Sequence, residues 1–166
     1  MKKTLLAVLV LAVLSSFAFA QSLFSVGVGV HELSQPTVVV EGSTVVFDTL
    51  RVGALASVPV NSLAGLNLVG TELLAGVGYD FDVFRFPVEQ SAEFVPYTTL
   101  RLGVGDLFTG GNAYWVGHAV VGLVGYEVGA SGTMVLEGGV RATFTDLSFD
   151  DFDFAPVLRF AFGVSF

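Results

Sequence analysis

The 166-residue chain is 53% hydrophobic, contains no cysteine and carries a formal net charge of −8 at pH 7. The acidic excess disfavours nucleic acid and other polyphosphates as partners, because like charges repel. The lack of cysteine excludes disulfide bonds, thiolate nucleophiles and thiolate metal ligands.

The first twenty residues have the pattern of a Sec-type signal peptide. Lys2 and Lys3 precede an apolar run from Leu5 to Leu14, and Ala18 to Ala20 form a small-x-small cleavage site. The apolar run is too short to cross a bilayer as a helix. We therefore expect residues 1–20 to be removed during export and residues 21–166 to form one mature domain. That domain keeps five arginines and fifteen acidic residues, a net charge of −10.

The mature chain has the pattern of a membrane-spanning β-barrel. No stretch of it approaches the roughly 18 unbroken apolar residues that a spanning helix needs. Apolar residues instead alternate with small, polar or charged ones, as in strands whose two faces meet different surroundings. Such alternation in so hydrophobic a chain favours a barrel whose apolar residues face lipid. Its length fits eight strands of about ten membrane-crossing residues each, with their connections.

In chain order, the first predicted strand is Phe24 to Val30. Thr37 to Phe47 is predicted to be a hairpin tip that extends beyond the membrane, with Glu41-Gly42 as its turn. The second strand follows from Thr49 to Ser57 and has Arg51 on its inner face. Turn-forming residues from Pro59 to Ser62 end it.

The segment between residues 64 and 94 alternates less cleanly. Only seven strands are obvious in the chain, whereas a barrel with both termini on one side of the membrane needs an even number. We therefore predict two strands here, Ala64 to Leu74 and Gly76 to Phe86. Four clearer strands follow: Phe94 to Gly105, Tyr114 to Tyr126, Met134 to Phe144 and Phe154 to Phe166.

The closing residues Leu158 to Phe166 end on an aromatic residue and place phenylalanines on one face and Arg159 on the other. With the signal peptide and the order of the last four strands, they resemble the small eight-stranded outer-membrane β-barrel proteins, the group that includes the OmpA transmembrane domain and OmpX. The resemblance implies an all-β, eight-stranded antiparallel up-and-down transmembrane barrel.

The resemblance also implies where such a protein is found and what it meets. The expected location is the outer membrane of a diderm bacterium, reached through the Sec pathway. The expected partners are outer-membrane lipid and the outer-membrane assembly machinery, which in that family reads the terminal strand; the matching positions are Phe162, Val164 and Phe166. We expect a monomer that binds no nucleic acid.

Several charged or titratable residues fall on the face opposite the lipid-facing one. An arginine on the lipid face near the bilayer midplane costs about 2–4 kcal/mol, so these residues are expected to line the lumen. An eight-stranded barrel has an interior just wide enough for side chains to fill, which favours an ion-pair network over an open pore. The predicted network is Arg51, Glu72, Arg101, His118, Glu137, Arg141 and Arg159.

Five aromatic residues near strand ends are interpreted as anchors at the membrane interfaces. They are Tyr79, Tyr97, Tyr114, Trp115 and Tyr126. Glycines on the inner face are interpreted as space for arginine and tyrosine side chains.

No catalytic residue, cofactor or metal site is predicted. His31 and Ser34 fall on opposite faces of a strand with no oxyanion hole in evidence, and position 35 is not the second histidine of a metalloprotease motif. Gly-x-Gly triplets lie inside strands without a following helix, which argues against a nucleotide site. The acidic loop from Asp146 to Asp153 lacks EF-hand spacing, so a solvated loop is favoured over a calcium site.

Three functions stay open. The favoured one is a structural or surface-interaction protein of the outer membrane with a side-chain-plugged lumen, and it is not an enzyme. The second is a small outer-membrane pore. The third is a secreted, soluble lipocalin-like barrel that binds an apolar ligand, in which the two faces are reversed and the arginines lie in solvent.

Overall fold

The computed structural model describes residues 22–31, 35–65, 68–84, 86–88, 92–106, 108, 113–127, 131–144 and 152–165. The predicted signal peptide lies outside the described residues, as does the acidic loop up to residue 151.

Eight strands of the described chain close into an antiparallel barrel. Consecutive strands of the ring pair with each other, β4 pairs with β6 rather than with β5, and β1 pairs with β9 to complete the ring. A short additional strand, β5, pairs with the start of β6 outside the ring. The strands are β1 (Ser22–His31), β2 (Gln35–Val46), β3 (Leu50–Pro59), β4 (Glu72–Asp80), β5 (Phe86–Val88), β6 (Ala92–Gly105), β7 (Tyr114–Glu127), β8 (Gly132–Phe144) and β9 (Asp153–Ser165). The predicted eight-stranded up-and-down barrel is confirmed.

Helix α1 (Val60–Gly65) lies between β3 and β4, and a 3₁₀ turn (Asp82–Phe84) follows β4. Among the described residues, no helix is long and apolar enough to cross a membrane. We call the end of the barrel where β1 begins and β9 ends the terminal end. The opposite end, which carries α1, is called the loop end.

The predicted hairpin tip before β3 is wrong. Thr37 to Phe47 does not form a hairpin tip, because β2 runs unbroken through Glu41 and Gly42, which pair with Ser25 and Phe24 of β1. A Glu-Gly pair has turn chemistry, but here the carboxylate reaches arginines in the lumen, so the chain can stay extended.

Two ring strands are predicted between Ala64 and Phe86, but the structure has one there. Among the described residues of this segment, only β4 joins the ring; helix α1 precedes it, and the 3₁₀ turn and β5 follow it. The strand that completes the predicted even number is therefore β2, which lies earlier in the chain than the segment where it is predicted.

Side chains on each strand alternate between the lumen and the outer surface. On β9, Ala155, Val157, Arg159 and Ala161 are buried, whereas the intervening residues are exposed. At some points of the wall, the backbone of the neighbouring strand leaves no room for a side chain. A Cβ atom at Gly103 would overlap the backbone of Leu73, so glycine is required at that point of the wall.

The turn that joins β2 to β3 has an unusual backbone. Phe47 and Asp48 both adopt the left-handed region, with φ of 53° and 66°. This region is disfavoured for residues other than glycine, and more so for phenylalanine than for aspartate.

Candidate functional site: the barrel lumen

Within the described part of the chain, the lumen contains four arginines and four carboxylates, all buried. They form three clusters, and in each of them arginines and carboxylates are equal in number. The residues are Arg51, Arg101, Arg141 and Arg159 with Glu41, Glu72, Asp80 and Glu137. A buried charge is costly unless it is paired, so the equal numbers mean that each cluster balances its own charge.

The terminal cluster is a two-point ion pair between neighbouring strands. Arg51 donates from Nε to Asp80 Oδ1 at 2.8 Å and from Nη2 to Asp80 Oδ2 at 2.6 Å. Its Nη1 group donates to Ser43 Oγ at 3.1 Å. The guanidinium group lies 5.0 Å from the ring centre of Tyr97, and its Nη2 group is 3.5 Å from the Tyr126 hydroxyl. These contacts connect β3 and β4 to β6 and β7 across the lumen.

The central cluster connects four strands through two arginines and two carboxylates. Arg101 donates from Nη2 to Glu137 Oε1 at 2.5 Å and to Glu41 Oε1 at 3.0 Å, and from Nη1 to Glu137 Oε2 at 3.2 Å. Arg159 pairs with Glu41 through Nη2 and with Glu137 Oε2 through Nε, the latter at 3.0 Å. The Tyr97 hydroxyl donates to Glu137 Oε1 at 2.6 Å. Each carboxylate is therefore shared between both arginines.

The loop-end cluster is built around Glu72. Arg141 donates to Glu72 Oε1 from Nε at 2.8 Å and from Nη2 at 2.5 Å. The Tyr114 hydroxyl donates to the same oxygen at 3.3 Å, and His118 Nε2 lies 3.5 Å from Glu72 Oε2. One carboxylate thus connects β4 to β7 and β8.

Two apolar clusters fill the remaining lumen. The cluster nearer the terminal end comprises Leu23, Val95, Tyr97, Val124, Val135 and Ala161. The cluster nearer the loop end comprises Val39, Leu55, Leu74 and Val116. A cavity of about 10 Å³ lies beside the second cluster and the central ion pairs, with room for about one water molecule. Ion pairs and apolar side chains thus share the described interior of the barrel.

All seven residues predicted to line the lumen belong to these clusters. The structure adds two carboxylates, Glu41 and Asp80, that the predicted network lacks. Asp80 shares the inner face of β4 with Glu72, so the same two-residue period could have identified it. Glu41 was missed because its segment was interpreted as a turn.

The interpretation of three tyrosines as interface anchors is wrong. Tyr97, Tyr114 and Tyr126 lie inside the lumen, because their hydroxyl groups meet carboxylates or arginines there. Tyr79 is exposed on the outer face and Trp115 is half-buried, as an outer position allows. The inner glycines do leave space for large side chains: a Cβ at Gly122 would lie 2.7 Å from the Tyr97 ring.

The other predicted positions fall partly outside the described residues. Phe162 and Val164 are exposed on the outer face of β9, and Phe166 lies outside the described residues. The side chain of His31 and all of Ser34 are also outside them. In the part of the chain that the structure describes, no three His, Asp or Glu side chains are grouped as metal ligands.

The outer surface of the barrel is covered by large apolar side chains. Val28, Leu100, Val121 and Phe162 are each more than half exposed. A soluble protein rarely exposes a continuous apolar surface of this kind. The polarity of the molecule is therefore inverted, with charges inside and apolar groups outside.

No protein-family model and no curated protein sequence matches the chain. Among solved structures, it is similar to a protein described as "De novo design of transmembrane beta-barrels". The TM-score is 0.52, the sequence identity is 14%, and the match covers 89% of this chain and 96% of that chain. At this identity the likeness concerns the fold: both chains form β-barrels of the transmembrane type.

Proposed function

We propose that this chain is an outer-membrane β-barrel protein of a diderm bacterium, exported through the Sec pathway. In this proposal its outer surface contacts lipid, its lumen is closed by side chains, and it acts as a monomer in a structural or surface-interaction role without catalysis. The observation that carries the proposal is the inverted polarity of the barrel.

Inverted polarity is stable only in an apolar solvent. In water, the exposed valine, leucine and phenylalanine side chains would each lose the stabilisation that burial gives, which is about 1.5–3 kcal/mol per side chain. In a bilayer these side chains are solvated by lipid, while the paired arginines stay away from it. A lipocalin-like barrel needs the opposite arrangement, with apolar side chains inside and charges outside.

Detergent phase separation tests the membrane part of the proposal. Folded protein is expected in the detergent phase, and its β-sheet circular dichroism should survive only with detergent or lipid present. Recovery of folded protein in the aqueous phase would contradict the proposal and favour the soluble barrel.

Planar-bilayer recording tests the closed lumen. The wild type should be nearly silent, because the central cluster occupies the lumen. Arg101→Ala and Glu137→Ala should each raise the conductance, since they remove a large side chain and unpair its partner. Asp153→Ala is the matched control: this carboxylate is exposed at the loop end of β9, so its removal should leave the conductance unchanged. Large, identical conductance in the wild type and the lumen variants would instead indicate a pore.

A further inference from the structure

The terminal end of the barrel is apolar on one side. Phe47 is 84% exposed, Val83 is 88% exposed and Phe84 is 63% exposed. Phe47 belongs to the turn between β2 and β3, and the other two belong to the 3₁₀ turn after β4. We call these three residues, together with Leu50 and Tyr79, the apolar rim.

The two turns that carry the apolar rim lie side by side. Leu50 and Tyr79 are cross-strand partners, and the backbone N–H of Asp80 donates to the carbonyl of Thr49 at 2.8 Å, which holds the two turns together. Val77, the next outward residue on β4, is 56% exposed. The rim therefore extends the apolar outer face of the barrel past the ends of β3 and β4.

On the opposite side of the same end, the described residues that flank the β7–β8 connection are polar. In the closed ring, the terminal ends of β7 and β8 lie across the barrel from the turn between β2 and β3. Glu127 is the last residue of β7 and Ser131 directly precedes β8; both side chains are exposed and polar. The two sides of the terminal end thus differ in the surroundings that they favour.

From this difference we propose that the apolar rim is a lipid-contact surface, which places the β2–β4 side of the terminal end deeper in the bilayer than the β7–β8 side. The inference rests on the proposed membrane location. The occupant is lipid because the rim continues the surface already assigned to lipid.

Charge and backbone geometry support this placement. Asp48 and Asp82 are exposed within the same two turns, so the rim lies at the boundary between acyl chains and headgroups, where carboxylates still reach water. Phe47 keeps a left-handed backbone that glycine or asparagine would adopt more easily. In that turn the Phe47 side chain is 84% exposed, as a contact with lipid requires.

Single-cysteine labelling tests the proposal directly, since the chain contains no cysteine. Val83→Cys probes the rim and Ser131→Cys is the matched position on the opposite side of the same end. Leu100→Cys is the reference on the outer face of β6. Each variant carries a bimane label and is placed in phosphatidylcholine vesicles whose acyl chains are brominated.

Brominated lipid should quench the label at Val83 several-fold more than the label at Ser131, and to an extent approaching that at Leu100. Aqueous iodide should give the reverse order. Quenching by brominated lipid that is equal at Val83 and Ser131, with strong quenching at Leu100, would overturn the rim proposal and leave the membrane location intact. A Val83 label reached by neither quencher would indicate protein on the rim and also overturn it. No lipid quenching at Leu100 would overturn both proposals.

Discussion

Replacing Glu41 by glutamine should strongly destabilise the barrel, because two arginines share this carboxylate. Arg101 lies 3.0 Å from Glu41, Arg159 contacts its other oxygen, and the Glu41 side chain is buried. Glutamine keeps the shape and removes the charge. Glu137 is then the one carboxylate left in the central cluster for two guanidinium groups.

The expected magnitude follows from these contacts. Breaking a buried ion pair by removing one partner costs about 3–5 kcal/mol, and the remaining contacts to Glu137 lower this to about 2–4 kcal/mol for Glu41→Gln. Arg159→Gln should cost a similar amount, since it leaves two carboxylates with Arg101. The double variant restores the balance of charges, and Arg101 keeps its two-point contact to Glu137. Its loss should be smaller than the sum of the single losses by about 1–3 kcal/mol.

The measurement is urea unfolding of the folded protein in detergent micelles, followed by the fluorescence of Trp115, the single tryptophan of the chain. Asp153→Asn removes an exposed carboxylate and serves as the control, with an expected change within about 0.5 kcal/mol. Single variants no less stable than this control, or losses that simply add, would show that the central cluster does not act as a coupled unit.

Three further predictions use the same unfolding measurement. Gly103→Ala should cost about 1–3 kcal/mol of stability, because the added methyl group overlaps the backbone of the adjacent strand. Gly117→Ala should be tolerated, because the nearest atom to its Cβ is 3.6 Å away. Equal losses of stability in the two variants would contradict the close approach at Gly103. Tyr97→Phe removes a buried hydroxyl that donates to a carboxylate and should cost about 1–3 kcal/mol of stability, while Tyr79→Phe on the outer face should change stability little. If Tyr79→Phe lowers the stability and Tyr97→Phe leaves it unchanged, the assignment of the two side chains to their faces is refuted. Asp48→Gly should stabilise the protein by about 0.5–1 kcal/mol, because glycine adopts the φ of 66° at this position more easily than aspartate does. A loss of stability would show that the backbone of Asp48 is not strained.

Much of the barrel follows from a two-residue period. Successive side chains of an extended chain point in opposite directions, so each strand reveals its two faces without knowledge of its neighbours. Arg101 and Arg141 could be assigned to the inner face in this way, and so could the apolar residues of the outer face. The number of strands followed from the requirement for an even count, together with the length of the chain.

Local patterns failed where the tertiary surroundings overrode them. Glu41-Gly42 has the composition of a turn, but it stays inside β2, where it pairs with β1 and β3 and where the carboxylate meets arginines of distant strands. Tyr97 and Tyr126 lie near strand ends, as interface residues do, but their hydroxyl groups point toward charges in the lumen. In each case the deciding partner is far away in sequence.

The sequence by itself determined which side of most strands is apolar, because alternation is a property of short segments. The tertiary structure decided which charges meet. Arg101 pairs with residues 36 and 60 positions away, and Arg141 pairs with one 69 positions away. Alternation places a side chain inside the barrel but not at a given height within it. That height is set by the register of every strand pair and by the closure of β1 on β9 and of β4 on β6.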